Sequence, residues 1–163
     1  HLRVPADDDI SVNMGKVYDE NEAVSATANG RTYEGFNINV GNPHAVVFTD
    51  DLSSLGSLEV PPVVNPASSY PEGVNVEFVE LLPNHEAKMR VHERGSGETQ
   101  SCGTGTCAVA LAATMKSGES LPSRWVIYPP GGRLVVDIDG HSNATLTGPA
   151  VLLEDHDVSR FLS

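Results

Sequence analysis

Cysteine is nearly missing from this chain: Cys102 and Cys107 are the two in 163 residues. So few exclude a disulfide-stapled secreted scaffold. Placed on one helix, five positions apart, they would be separated by a rise of about 7.5 Å. A disulfide spans roughly 7 Å between Cα atoms at most. The two are expected to stay unbridged, in a reducing, cytoplasmic setting. CxxC pairs and an HExxH motif are lacking and the six histidines are scattered, so no metal site is expected. Positive charge is thin too: ten Lys and Arg stand against 22 Asp and Glu, for a net charge of -12. That argues against nucleic acid as a partner, and without a basic run there is no polybasic membrane patch. No stretch approaches the eighteen or so apolar residues of a membrane span. The opening HLRVPADDDI has no apolar signal core and no methionine, which predicts a processed chain or one cut from something longer.

What is present reads as one domain, mostly strands with one good helix. ISVNMGKVY (Ile10–Tyr18) alternates weakly. Across Arg31–Val40, Phe36, Ile38 and Val40 share a face. GNP marks a turn, after which HAVVFTD resumes as a strand. Asp50–Gly56 has the acidic start and glycine stop of a short capped helix. PPVVNPASSYP, with four prolines, reads as loop rather than a regular element. In GVNVEFVELL, Val74, Val76 and Phe78 fall on one face, Asn75 and Glu77 on the other. AKMRVHER follows a turn at NHE, so these two strands are expected to pair antiparallel. RWVIYPP, RLVVDIDG and ATLTGPAVLL close the chain as strands, the first two joined at PGG.

The predicted helix, Gly103–Lys116, is apolar on nearly every side. Such a helix is buried, and a curved sheet wrapped around it is the simplest way to bury it. The expected fold class is α+β: a curved mixed, mainly antiparallel β-sheet around one buried central helix.

Cys102 stands at the mouth of that helix, in GETQSCGTGTCAVA. The first N–H groups of a helix have no intrahelical partner and carry the positive end of its dipole. Gly103, Thr104 and Gly105 leave that backbone bare, so an anion can approach it. A thiol so placed is expected to ionise more readily than usual, with the same amides free to hold a carboxylate beside it. A buried structural cysteine is the bland alternative, and it fits Cys107, among alanines. Glu93 shares strand parity with Met89 and Val91, where a carboxylate needs a partner. His44 shares parity with Val46 and Phe48 and fits a core histidine or an acid/base group. Asn42 and Asn75 fit turn and edge positions as well as functional ones. Arg94, facing away from Glu93, fits a solvated charge.

ERGSGETQSCGTGTCA (Glu93–Ala108) resembles the second active-site signature of the diaminopimelate epimerase family. GNPHAVVF resembles that family's asparagine-proline-histidine segment, GVNVEF its second asparagine strand, and VNMGK the start of its C-terminal domain. The segments occur in the family's order from near Val12 onward. The resemblance implies two pseudo-symmetric domains, each a curved sheet around a central helix, with the active site between them. It implies proton transfer by two opposed cysteines, without pyridoxal phosphate or metal, interconverting LL- and meso-diaminopimelate on the route to lysine and peptidoglycan. By resemblance, Cys102 is one of the two acid/base thiols. Gly103 and Thr104 bind the α-carboxylate, and His44 and Glu93 tune the thiols and order the site. Asn42, Asn75 and Arg94 grip the distal end of the substrate, where a guanidinium can bind a carboxylate by two hydrogen bonds.

The family's first-domain cysteine, in a CGNG-like turn, has no counterpart here, and Cys107 shares a helix with Cys102. The expectation is therefore a single domain over residues 1–163, equivalent to the family's C-terminal half. It would be inactive alone, with the N-terminal domain of the same enzyme as its partner. The tail 151–163 would normally pack on that partner; without it the tail is expected to be poorly packed or to mediate a homodimer contact. Two alternatives stand beside this. One is a binding module that kept the fold and lost catalysis; the other is a different cofactor-independent racemase, such as a proline-racemase-like protein.

Overall fold

β-branched and aromatic residues recurring at every second position drive most of the chain into strands. The computed structural model describes residues 9–150. In chain order it contains β1 (Ile10–Lys16), β2 (Tyr18–Ala28), β3 (Arg31–Asn39), β4 (Pro43–Phe48), β5 (Val63–Asn65), β6 (Asn75–Leu82), β7 (Glu86–Glu93) and β8 (Gly97–Thr99). Then come α1 (Gly103–Lys116), β9 (Ser123–Tyr128), β10 (Leu134–Ile138) and β11 (Asn143–Gly148). One sheet holds all the strands, in the order β1-β11-β10-β9-β7-β6-β4-β3-β2-β5, with β8 beside β7. The β4–β6 and β7–β9 pairs are parallel; the others are antiparallel.

α1 has the predicted bounds. It touches strands from β11 round to β2, so the sheet curves about it. Gly105 through Thr114 are buried without interruption. Four of those ten are alanine, whose small side chain lets the strands close in on all sides. Val46, Val79, Met89, Val91, Trp125, Ile127, Val136 and Ile138 fill the space between helix and sheet. Inside it, the Trp125 indole N–H donates to Thr114 Oγ1 at 2.9 Å, satisfying a donor that burial would otherwise strand. The α+β fold class is as expected from sequence.

The outer face of the sheet carries a second core, which the sequence reading did not foresee. Val24, Ala26, Tyr33, Val47, Val76 and Phe78 meet Leu52, Leu55, Leu58, Val64 and Tyr70 there. The Pro-rich stretch is accordingly not featureless loop: it supplies β5 on the sheet edge and a 3₁₀ turn at Ala67–Ser69. Residues 18–28, to which the sequence pattern assigned no element, form the eleven-residue β2. Its first half is polar and largely exposed, while Val24, Ala26 and Ala28 alternate inward. The short capped helix is a 3₁₀ turn, Leu52–Leu55. Asp51 Oδ1 accepts the Ser53 N–H at 2.8 Å, and Gly56 ends the turn at φ +69°. No helix among the described residues is long and apolar enough to cross a membrane. The tail 151–163, expected to meet a partner, lies outside the described residues.

Candidate active site

Cys102 is the N-cap of α1, its backbone extended at φ -129° and ψ 113°. The cap disposes of one of the orphan amides, that of Gly105, and its carbonyl accepts the first bond of the helix ladder. Cys102 Sγ accepts the Gly105 N–H at 3.4 Å, and the Cys102 carbonyl accepts the Thr106 N–H at 2.8 Å. Gly103 and Thr104 amides have no acceptor among the described residues, and the helix itself cannot offer one. Two free donors, the dipole's positive end and a sulfur thus converge at one point. Thr104 Oγ1 lies 3.6 Å from the sulfur.

The expected acidification of this thiol is not what the structure shows. Cys102 is 9% exposed, and burial pushes its pKa up to about 11. Hydrogen bonds from Thr104 and Gly105 pull it down, while the nearby charges of Glu77 and Glu93 push it further up. Desolvation of a thiolate outweighs what one amide and one hydroxyl return. At neutral pH the sulfur is therefore a thiol. Cys107 is fully buried within α1, with its pKa raised to about 12 by burial. Both cysteines are free.

Four predicted residues come together around the helix mouth. His44, on β4, is fully buried. Its Nε2 lies 3.0 Å from Asn42 Oδ1. Asn42, in the turn before β4, donates through Nδ2 to Thr104 Oγ1 at 3.4 Å. A hydrogen-bonded line thus runs His44–Asn42–Thr104–Cys102. Asn75 opens β6 opposite His44 in the parallel register. Its Oδ1 accepts the Arg94 backbone N–H at 2.9 Å, so it fixes the chain where Arg94 departs. The exposed Arg94 side chain makes one long bond, 3.4 Å to the Glu72 carbonyl, and lies over Gly73. Its guanidinium is otherwise without a partner among the described residues. Glu93, at the end of β7, is half-buried and accepts the Thr99 hydroxyl at 2.7 Å.

Glu77 belongs with these residues and was missed. Its carboxylate is fully buried on the α1 side of β6, with Oε1 2.7 Å from His44 Nδ1. Parity separated it from Val76 and Phe78, which made its face look solvated. That face instead lies under α1, as Val79, two residues on, could have signalled. A cavity of about 250 Å³ opens on the other side of the sheet, lined in part by Tyr70, Val76, His92 and Arg94. Among the described residues no group of three His, Cys, Asp or Glu could share a metal ion.

The family model described as diaminopimelate epimerase matches residues 36–153. The diaminopimelate epimerase of Streptomyces coelicolor is 42% identical over 160 residues, covering 94% of this chain and 55% of its own length. That of Mycolicibacterium vanbaalenii is 43% identical over 154 residues, covering 93% and 52%. The chain spans about half the length of the curated relatives it matches. Among solved structures, a hydroxyproline epimerase from Agrobacterium vitis superposes with a TM-score of 0.60 at 18% identity, over 86% of this chain and 50% of that one. A probable proline racemase from Agrobacterium radiobacter gives 0.58 at 17% identity, over 93% and 55%. At that identity the likeness is one of fold.

Proposed function

The chain belongs to the diaminopimelate epimerase family, and from that premise we propose that it supplies one of the two thiols that invert the α-carbon of diaminopimelate. The carrying observation is the meeting of Cys102 Sγ with the unpartnered Gly103 and Thr104 amides at the mouth of α1. The substrate α-carboxylate docks on those amides, where the dipole favours an anion. This orients the Cα–H bond relative to the sulfur. When the opposing thiolate removes the α-proton, an S–H bond forms there. The electron pair left by the Cα–H bond spreads into the carboxylate, which the fixed amides stabilise as its charge grows. Cys102, protonated at neutral pH, then gives its proton to the opposite face of Cα and is left as the thiolate. The reverse reaction exchanges the two roles.

The opposing thiol has no source among the two cysteines of this chain, since Cys107 is buried in α1. We assign it to a second, N-terminal domain that packs over the helix mouth and completes the cleft, with the present chain as its C-terminal counterpart. Glu93 and His44 order the two thiols. Asn75 and Arg94 hold the substrate's distal amino-acid end: Asn75 sets the backbone and the guanidinium of Arg94 takes the distal carboxylate by two hydrogen bonds. Asn42, already joined to His44 and Thr104, braces the floor between those two subsites.

The test is exchange of the α-hydrogen of LL-diaminopimelate in D₂O. It is run with this chain, with the first half of a curated relative, and with the two mixed. Exchange is expected only in the mixture. Cys102→Ala in the mixture should abolish it, and Cys107→Ala should leave it within a few-fold. Equal loss in both variants, or exchange that survives Cys102→Ala, would overturn the assignment.

A further inference from the structure

Glu77 is a carboxylate fully buried between β6 and α1, and the chemistry above does not use it. Burying a carboxylate is costly unless it is paired and hydrogen-bonded. Its Oε1 faces His44 Nδ1 at 2.7 Å, with both side chains sealed from water, and its Oε2 has no partner among the described residues. Gly105 makes this position available, since a Cβ there would stand 2.5 Å from Glu77 Oε1. The same Gly105 gives its N–H to Cys102 Sγ. The carboxylate is thus wedged beneath the first turn of α1, at one end of a line that reaches the sulfur.

We infer that Glu77 is a positioning residue for the thiol: by holding the Nδ1 proton of His44, it lets the protonation of that ring set the direction of every hydrogen bond leading to Cys102. The inference rests on the role proposed above for Cys102. With His44 doubly protonated, Nδ1–H donates to Glu77 and Nε2–H to Asn42 Oδ1, which lies 3.0 Å away. Asn42 Nδ2 then donates to Thr104 Oγ1, and the Thr104 hydroxyl is left to donate to Cys102 Sγ. The line ends on sulfur as an acceptor, the arrangement a thiolate requires. With Nε2 unprotonated, the Asn42 amide turns end for end to donate to it. Asn42 then offers its oxygen to the Thr104 hydroxyl, which in turn accepts the S–H proton. The line now ends on a thiol.

A thiolate at Cys102 therefore goes with an imidazolium at His44, and a thiol with a neutral ring. Glu77 makes the first combination accessible, because an imidazolium sealed from water needs a facing anion. It acts in both directions. Its charge also opposes the thiolate directly, as does that of Glu93 on β7. The Tyr70 hydroxyl feels the charge of Glu77 as well.

These two influences of Glu77 have opposite signs, and that makes the inference testable without substrate. Glu77→Gln keeps the shape and removes the charge. If only direct repulsion acts, the thiolate becomes easier to form and Cys102 alkylates faster. If the line acts, His44 loses the anion that supports its second proton, and alkylation of Cys102 by iodoacetamide slows. The expected slowing is about tenfold, the ratio given by a one-unit change in thiol ionisation. It is read by peptide mass spectrometry across a pH series on the whole chain. In a His44→Gln background the same change should no longer slow the reaction. Ring ¹⁵N shifts of His44 in the unaltered chain give a second reading, independent of whether the variant folds. They should report Nδ1 protonated near neutral pH. Unchanged or faster alkylation in Glu77→Gln, slowing that persists without His44, or a ring protonated on Nε2 alone would each overturn the inference. Loss of coupling alongside exchange in the mixed polypeptides refutes only this inference. Coupling without exchange refutes only the epimerase reading.

Discussion

Replacing Gly105 by alanine should unfold the chain more easily, although alanine is the better helix former. An added Cβ would lie 2.5 Å from Glu77 Oε1 and 3.2 Å from Cys102 Sγ. Glu77 has nowhere to retreat: it is fully buried and bonded to His44 at 2.7 Å. Overpacking of this kind costs about 1–3 kcal/mol, and losing a charged hydrogen bond costs roughly 1.5–3 kcal/mol. Against that, Gly→Ala in a helix returns about 1 kcal/mol. Since the clash is relieved partly by yielding on the bond, the two losses overlap, and the net is about 2 kcal/mol of destabilisation. For a domain of this size that lowers the melting temperature by roughly 4–8 °C. Gly103→Ala is the control on the same turn. Its Cβ would meet Leu146 Cδ2 at 3.4 Å and Met14 Cε at 3.6 Å, which is ordinary contact. Helix propensity should then decide, leaving stability unchanged or raised by up to about 1 kcal/mol. Thermal and urea denaturation followed by circular dichroism measures both. Should Gly105→Ala melt with or above Gly103→Ala, Glu77 is not wedged beneath the helix, and the account of the site's floor is wrong.

Stability should fall at alkaline pH through the two thiols. Unfolded, each ionises near its ordinary value of 9.0, while the folded chain holds the proton on Cys102 to about 11 and on Cys107 to about 12. The unfolded state loses protons first, so this contribution is intact below pH 9 and is lost as pH rises through about 11 for Cys102 and about 12 for Cys107. Urea midpoints measured across that window should drop less steeply for a Cys102→Ser, Cys107→Ala double variant; an identical slope would refute the assignment to the thiols. Arg90→Ala should cost about 2–3 kcal/mol. Arg90 binds Glu98 through Nε at 2.7 Å and Nη2 at 2.9 Å, and reaches the carbonyls of Leu52 at 3.0 Å and Gly56 at 2.7 Å. Amide exchange in Leu52–Leu58 should accelerate well before global unfolding, and exchange that rises uniformly across the chain would contradict that local role.

The helix was legible to the residue because two independent signals coincided. The bare glycines and threonines of CGTGT mark a start, and a run with no polar face marks burial on all sides. β6 was legible as a strand but not as a two-sided one. Alternation assigns residues to two faces without saying which face meets solvent, and here neither does. Val76 and Phe78 meet the outer core while Glu77 and Val79 lie under α1. A Glu on a strand is by base rate a solvated residue, so pattern alone filed Glu77 with the surface. The outer core escaped notice for a related reason. Its lid is the segment from Leu52 to Tyr70, whose prolines suppress regular periodicity while its leucines and valines still bury. The thiol shows the same limit from the electrostatic side. Position at a helix N-terminus can be read from sequence, but the depth of burial cannot, and depth decided the direction in which its pKa moved. A buried thiol that rests protonated and a buried carboxylate that answers it through a histidine both depend on what covers them. Coverage comes from strands far apart in the chain: Glu77 meets His44 33 residues away, and Thr104 meets Asn42 62 residues away. Local motifs can name the ends of such contacts; only the parallel β4–β6 pairing and the wrap of the sheet around α1 bring those ends together.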